Sequence, residues 1–133
     1  MPLHPSRYST MLAERLTWHE TDCWLVNTGL FGGPWGVGQR MSIELTRALI
    51  GAALDGSLAK SGFSPHPVLK VQVPHECACA GHDVLDPRAS WADGAAYDAA
   101  VRNLAGMFRD NFAQYAEHVT PEVREAGPDP DAA

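Results

Sequence analysis

Five glycines fall within ten residues, at Gly29, Gly32, Gly33, Gly36 and Gly38, around Pro34 and Trp35. No regular structure survives that density, so the stretch Gly29 to Gly38 is a loop. What flanks it sets the fold class. Cys23 to Asn27 is short, apolar and aromatic, with a β-branched Val26, and reads as a strand buried on both faces. Ser42 is an N-cap residue, and Ile43, Leu45, Thr46, Leu49, Ile50, Ala53 and Leu54 follow at helical spacing up to Gly56 as the C′ residue. Strand, glycine-rich loop and helix in this order predict an α/β protein. The same order serves anion sites, because a helix N-terminus offers unpaired N–H groups and a positive dipole end. It also serves as a plain structural crossover, and spacing does not decide between the two.

The two commonest phosphate signatures fail here. Gly33 and Gly38 have the gap of a P-loop, but Gln39 and Arg40 stand where Lys and Ser/Thr are required. Gly36-Val37-Gly38 is followed by Met41 where a dinucleotide fingerprint needs its third glycine. Arg40, Ser42, Thr46 and Arg47 at the loop exit are either nucleotide contacts or a solvated helix start with its cap.

The rest of the chain frames this unit. Ser6 to His19 predicts a helix, with Pro5 before it and Tyr8, Met11, Leu12 and Leu16 on one face. Val68 to Val73 alternates and predicts an edge strand between prolines. His75 to Arg88 has no period, and Asp86-Pro87 marks a turn. Asp93 to His118 predicts the longest helix, its stripe formed by Tyr97, Val101, Leu104, Ala105, Phe108, Phe112 and Tyr115. Thr120-Pro121 starts a last short turn, and the acidic residues 128–133 predict a frayed tail.

Composition excludes several partners. A net charge of −6 with ten scattered basic residues argues against nucleic acid. No run reaches the roughly 18 apolar residues of a membrane span, and Met1 to Pro5 does not open a signal peptide. Three cysteines do not make a disulfide framework, and a reducing cytoplasm is expected. His75, Cys77, Cys79 and His82 form a compact cluster of zinc-type ligands, though C-x-C lacks the usual gap, and the alternative is an exposed loop with incidental thiols. His19, Glu20, Asp22 and Cys23 suggest a nucleophile–base pair only by adjacency, against the plainer reading of a polar helix end.

Taken together, His4-Pro5, Tyr8, Leu25-Val26-Asn27-Thr28-Gly29, Gly32-Gly33-Pro34, Gly36-Val37-Gly38, Arg40-Met41-Ser42-Ile43 and Thr46-Arg47-Ala48 form a recognisable order. So do Ala52 to Gly56, Val73-Pro74, Glu76-Cys77, Val84 to Arg88, Trp91-Ala92-Asp93 and Ala126-Gly127-Pro128. The chain resembles the C-terminal segment, about the last quarter, of ATP-dependent phosphoenolpyruvate carboxykinases. The resemblance implies a partial C-terminal lobe of a two-lobed α/β enzyme over residues 1–127. It implies a cytoplasmic gluconeogenic carboxy-lyase reaction, in which oxaloacetate and ATP give phosphoenolpyruvate, ADP and CO2 with Mg2+ and Mn2+. It implies that Arg40, Met41 and Thr46 contact ATP, while the P-loop, metal ligands and oxaloacetate-binding arginine belong to other parts of the family's sequence. The chain alone is then expected to be inactive and to self-associate through exposed core surface. The alternative is a non-catalytic binding module derived from that lobe. The sequence departs from the family at Leu30-Phe31, at Gln39 for Lys, at Glu44 for a basic residue, at Leu45, and at Ala78-Cys79-Ala80-Gly81 for Pro-Gly-Val-Pro.

Overall fold

Helical periodicity and capping chemistry place most of the elements in this computed structural model, which describes residues 3–132. Helix α1 spans Pro5–Trp18, with Pro5 at its first position and the His4 ring accepting the Ser6 N–H. A two-stranded hairpin follows, β1 (Leu30–Phe31) against β2 (Gln39–Arg40). Helix α2 spans Ile43–Leu54. Its N-cap is Ser42, whose hydroxyl accepts from Leu45 N at 3.1 Å, and Gly56 ends it with φ +76°. A second hairpin pairs β3 (Phe63–Pro65) antiparallel with β4 (Gln72–Pro74), in the register Phe63–Pro74, Ser64–Val73 and Pro65–Gln72. Two short helices, α3 (His82–Leu85) and α4 (Pro87–Ser90), lead to α5 (Gly94–Phe112). That helix tightens into a 3-10 turn at Ala113–His118, and α6 (Pro121–Glu125) closes the helical series.

The chain is therefore mixed helix and strand, but its strands meet the predicted ones only at Gln72 and Val73, and β1 lies inside the stretch expected to be all loop. Residues 21–28 hold no helix, turn or ladder, and Cys23 to Asn27 is not a strand here. Asp22 to Thr28 have no backbone hydrogen-bond partner among the described residues. A sheet-interior strand forms only with neighbours, and none lies beside this run. The glycine stretch does not cross directly into a helix either: it turns back on itself as the tip of the β1–β2 hairpin. The predicted strand over Val68 to Val73 begins only at Gln72. Its first half is a turn, and its partner β3 lies in residues whose prolines read as loop.

That turn is built by a histidine. His66 Nδ1 accepts the N–H groups of Val68 (3.2 Å) and Leu69 (3.0 Å), which fixes the proton on Nε2, and Nε2 donates to Tyr97 Oη at 2.8 Å. Lys70 closes the turn in the left-handed region, with φ +59°, donating its N–H to His66 O. The turn drops Val68 onto α5, where Val68, Tyr97, Val101 and Ala105 form the one core cluster among the described residues. Trp91 packs edge-on to Tyr97, and Leu69 and Ala132 cover the rim. The long-helix stripe is only partly a core: Leu104 and Phe108 are exposed. The last residues return over this cluster where composition predicts a frayed tail. Asp129 N–H donates to Val68 O at 2.8 Å, and Arg109 pairs with Asp131. Ala133 lies outside the described residues.

Elsewhere the surface is large. A folded monomer of 14.4 kDa is expected to expose about 6,800 Å². This chain exposes 9,802 Å², and Trp18, Leu25, Trp35 and Leu54 are each at least 78% accessible.

Half-burial pushes the His66 imidazole below its ordinary pKa of 6.5, against a weaker opposite pull from Asp86. On acidification the unfolded chain then takes up this proton first. The stabilisation from neutral His66 is present above about pH 6.5 and is lost as pH falls through that value to the folded pKa. The urea midpoint of the native chain is expected to fall between pH 7 and pH 5. The His66→Asn chain, which keeps an acceptor for the turn but does not titrate, is expected to lose most of that slope. Equal slopes in the two chains would show that the turn does not depend on a neutral ring.

Candidate functional site

The three residues implied as nucleotide contacts lie on one continuous path. Arg40 ends β2, Met41 follows it and donates its N–H to Gly29 O at 3.1 Å, and Thr46 sits in the opening turns of α2, its N–H bonded to Ser42 O. Arg40 is exposed and makes no salt bridge among the described residues, while Met41 and Thr46 are half-buried. Glu44, also exposed, is the acidic residue of the helix's first turn. A negative side chain there suits the helix dipole and opposes an incoming polyanion.

The glycine hairpin holds this path in place. Val37 and Gly38 donate their N–H groups to Pro34 O at 3.0 and 2.8 Å, which closes the tip and brings Gln39 and Arg40 back beside Phe31 and Leu30. Gly38 packs against the opposite limb so closely that a Cβ there would lie 2.4 Å from Gly33 O. Arg40 is thus presented by a β-hairpin, a signal that sequence reasoning missed. Leu30-Phe31 supplies the first strand of that hairpin.

Beside this path runs a groove of about 790 Å³, lined by Trp24, Leu25, Val26, Met41, Phe63 and Val71 among others. Trp24 leans on Phe63 with ring centroids 5.9 Å apart, while Leu25 points its apolar surface outward. Among the described residues the groove is mostly apolar and carries no cluster of positive charges that would fit phosphate.

The other candidate chemistry does not assemble. Cys77 and Cys79 are joined to each other by a disulfide, so neither is a free thiolate for zinc, and the alternative of a loop with incidental thiols is corrected at these two residues. His75 Nε2 is hydrogen-bonded to Ser64 Oγ at 2.7 Å. The side chain of His82, the fourth member of that cluster, lies outside the described residues. Among the described residues no group of three or more His, Cys, Asp or Glu side chains is placed to hold a metal ion. No ligand set for Mg2+ or Mn2+ is formed among the described residues. His19, Glu20, Asp22 and Cys23 make no side-chain hydrogen bond to one another among the described residues.

Two glycine substitutions test the hairpin. Gly38→Ala is expected to lower stability by about 1–3 kcal/mol, because the added methyl meets a backbone carbonyl that cannot yield. Gly51→Ala, within α2 and with nothing inside 4 Å of its Cβ position, is expected to raise it by about 0.5–1 kcal/mol. Urea unfolding of both chains gives the measurement. A neutral Gly38→Ala chain would mean the hairpin tip is not formed as described.

Residues 1–83 match the family model of phosphoenolpyruvate carboxykinase. The chain is 48% identical over 128 residues to the phosphoenolpyruvate carboxykinase (ATP) of Brucella suis biovar 1 (strain 1330), covering 96% of this chain and 24% of that protein. It is 49% identical over 129 residues to that of Rhodopseudomonas palustris (strain HaA2), and 45% identical over 129 residues to phosphoenolpyruvate carboxykinase (ATP) 2 of Salinibacter ruber (strain DSM 13855 / M31). In both cases the match covers 97% of this chain and 24% of the relative, so the chain spans about a quarter of the length of the curated relatives it matches. The resemblance read from Leu25 to Ala48 and beyond is that of a family member: this chain belongs to the phosphoenolpyruvate carboxykinase (ATP) family, and its similarity is to the family's C-terminal segment.

Proposed function

We infer that the chain supplies one wall of the ATP site of a phosphoenolpyruvate carboxykinase, as a partial C-terminal lobe. In the proposed enzyme, cytoplasmic and gluconeogenic, oxaloacetate and ATP give phosphoenolpyruvate, ADP and CO2. The observation that carries this reading is the exposed guanidinium of Arg40, set by the β1–β2 hairpin just ahead of the Ser42-capped helix that bears Thr46. Arg40 and Thr46 hydrogen-bond the nucleotide, and Met41 packs against it. The terminal phosphates, the metal ions and oxaloacetate are held by residues that this chain does not contain. Phosphoryl transfer depends on positioning and on metal electrostatics, so this chain by itself is inactive. Gln39 and Glu44 weaken the wall, since one positive charge is missing and one is reversed beside a polyanion.

A second reading, a non-catalytic interaction module, is favoured by a different observation. The chain exposes about 3,000 Å² more than a monomer of its mass should, more than one side of a standard protein interface. Cys23 to Asn27 has unpaired backbone on both edges, and Leu25 is 88% accessible. On this reading the uncovered surface pairs with a second copy.

The two readings separate in one set of measurements. The isolated chain is expected to form no ADP from ATP and oxaloacetate. A chimera is made by replacing the matched quarter of the Brucella suis enzyme with this chain. It is expected to be active, and Arg40→Ala within it to raise the KM for ATP about tenfold, the loss of roughly 1.4 kcal/mol of binding. Glu44→Lys is expected to lower that KM. An active isolated chain, or an Arg40→Ala chimera with unchanged KM, overturns the first reading. A stable dimer of the isolated chain together with an inactive chimera supports the second.

A further inference from the structure

We propose that Cys77 and Cys79 form a reversible two-electron redox site that exchanges with low-molecular-weight thiols and disulfides of the glutathione class. This proposal does not depend on the nucleotide reading.

The geometry is that of a turn that holds two sulfurs together. Ala80 N–H donates to Cys77 O at 3.1 Å, and Cys77 and Ala80 form an isolated antiparallel bridge. The turn brings the Cys77 and Cys79 Cα atoms to 5.1 Å, inside the span a disulfide needs. Both cysteines are only half-buried. They line a cleft of about 640 Å³ with Ala48, Gly51, Lys60 and Glu76, which gives an incoming thiol a way to them.

A purely structural role does not account for this bond. Disulfides stabilise mainly by closing long loops in the unfolded chain, and here only Ala78 lies between the two cysteines. Neither cysteine belongs to the core cluster around Tyr97. What a bond of this kind offers is ready exchange, since accessible disulfides are the labile ones.

The two sulfurs are not equivalent. Cys79 N–H donates to Cys77 Sγ at 3.3 Å. That contact favours negative charge on Cys77, which makes it the better leaving group. Reduction then runs in two balanced steps. A reductant thiolate attacks Cys79 Sγ, the Cys77–Cys79 bond breaks, and Cys77 departs as a thiolate while a mixed disulfide forms on Cys79. A second reductant thiolate attacks the outer sulfur of that mixed disulfide, releasing the Cys79 thiolate and the oxidised reductant. Two thiols are consumed, one disulfide is made, and both cysteines end reduced. Oxidation by glutathione disulfide is the same sequence reversed.

The test counts thiols. The purified chain is equilibrated anaerobically in glutathione buffers from fully reduced to mostly oxidised. It is then quenched in acid, alkylated with N-ethylmaleimide under denaturing conditions and weighed intact. The expected result is three maleimides in reduced buffer; in oxidised buffer Cys77 and Cys79 take up none and carry no glutathione, with a single transition, while the exposed Cys23 accepts a glutathione adduct of its own. Cys23→Ser is expected to shift the counts to two and none at the same midpoint. Cys79→Ala is expected to abolish the transition and leave only glutathione adducts, on Cys77 and Cys23. The urea-unfolded chain is expected to need a several-fold larger share of oxidised glutathione, because it lacks the turn. The proposal is overturned by three maleimides at every ratio, by a bond that reduced glutathione does not open, by oxidation only through glutathione adducts or intermolecular dimers, or by equal midpoints in folded and unfolded chains.

Discussion

The hydrogen bond from His66 Nε2 to Tyr97 Oη ties a hairpin turn to the long helix it packs on. On one side is a hairpin turn that needs acceptors for the Val68 and Leu69 N–H groups, because Pro67 cannot continue a ladder. On the other is a long helix whose Tyr97 must satisfy its hydroxyl once buried. One neutral imidazole serves both needs. It also sets Val68 against Val101 and Ala105, and the carbonyl of Val68 then receives Asp129 N–H. Turn, helix and chain end thus meet at one residue type in one tautomer. Charge there would remove the acceptor on which the turn rests.

Helices were legible because their signals are local. Pro5, Ser42, Asp93 and Pro121 start elements where capping chemistry says they should, and Gly56 ends one. Strands were not, because pairing depends on what lies alongside. Leu30-Phe31 finds Gln39-Arg40 only because the glycine loop folds back, and no period in the sequence announces that. Cys23 to Asn27 carries the apolar run of a buried strand and finds no backbone partner among the described residues. His66 was hidden for another reason: a ring that imitates an Asx turn looks like any loop histidine until its partners are known. The candidate site comes from resemblance alone, as the set Arg40, Met41 and Thr46, which the structure places on one continuous path from β2 into α2. Its presentation by a hairpin was not legible.

The same division runs through the energetics. The half containing α5 owns a core, however small, and its members are buried by residues of this chain. The half containing the β1–β2 hairpin and α2 contributes little to that core. Ala52 and Leu58 are its buried apolar residues, and Trp35, Ile43 and Leu54 face outward. Burying an exposed Leu or Ile is worth about 1.5–3 kcal/mol each, so this half leaves much of its own stabilisation unrealised. Native stabilities are only about 5–15 kcal/mol, and a shortfall of a few such residues is a large fraction of the total.

That imbalance bears on how the proposed Arg40 wall of a nucleotide site would work. A binding residue gains affinity from being held in place before the ligand arrives, because ordering it afterwards costs free energy. Arg40 is held by a hairpin whose tip is closed by the Gly38 and Val37 hydrogen bonds to Pro34, with Gly38 pressed against Gly33. The hairpin is positioned by local backbone chemistry and not by a packed core beneath it. Two-stranded hairpins are marginal alone in water. Apolar surface covering the groove from Trp24 to Val71 would therefore act on nucleotide binding without touching the nucleotide, by fixing the base from which Arg40 projects. The glycines that keep the spacing of a P-loop without its Lys and Ser/Thr thus have another physical role, because they let a short chain turn back and place a guanidinium at a helix start.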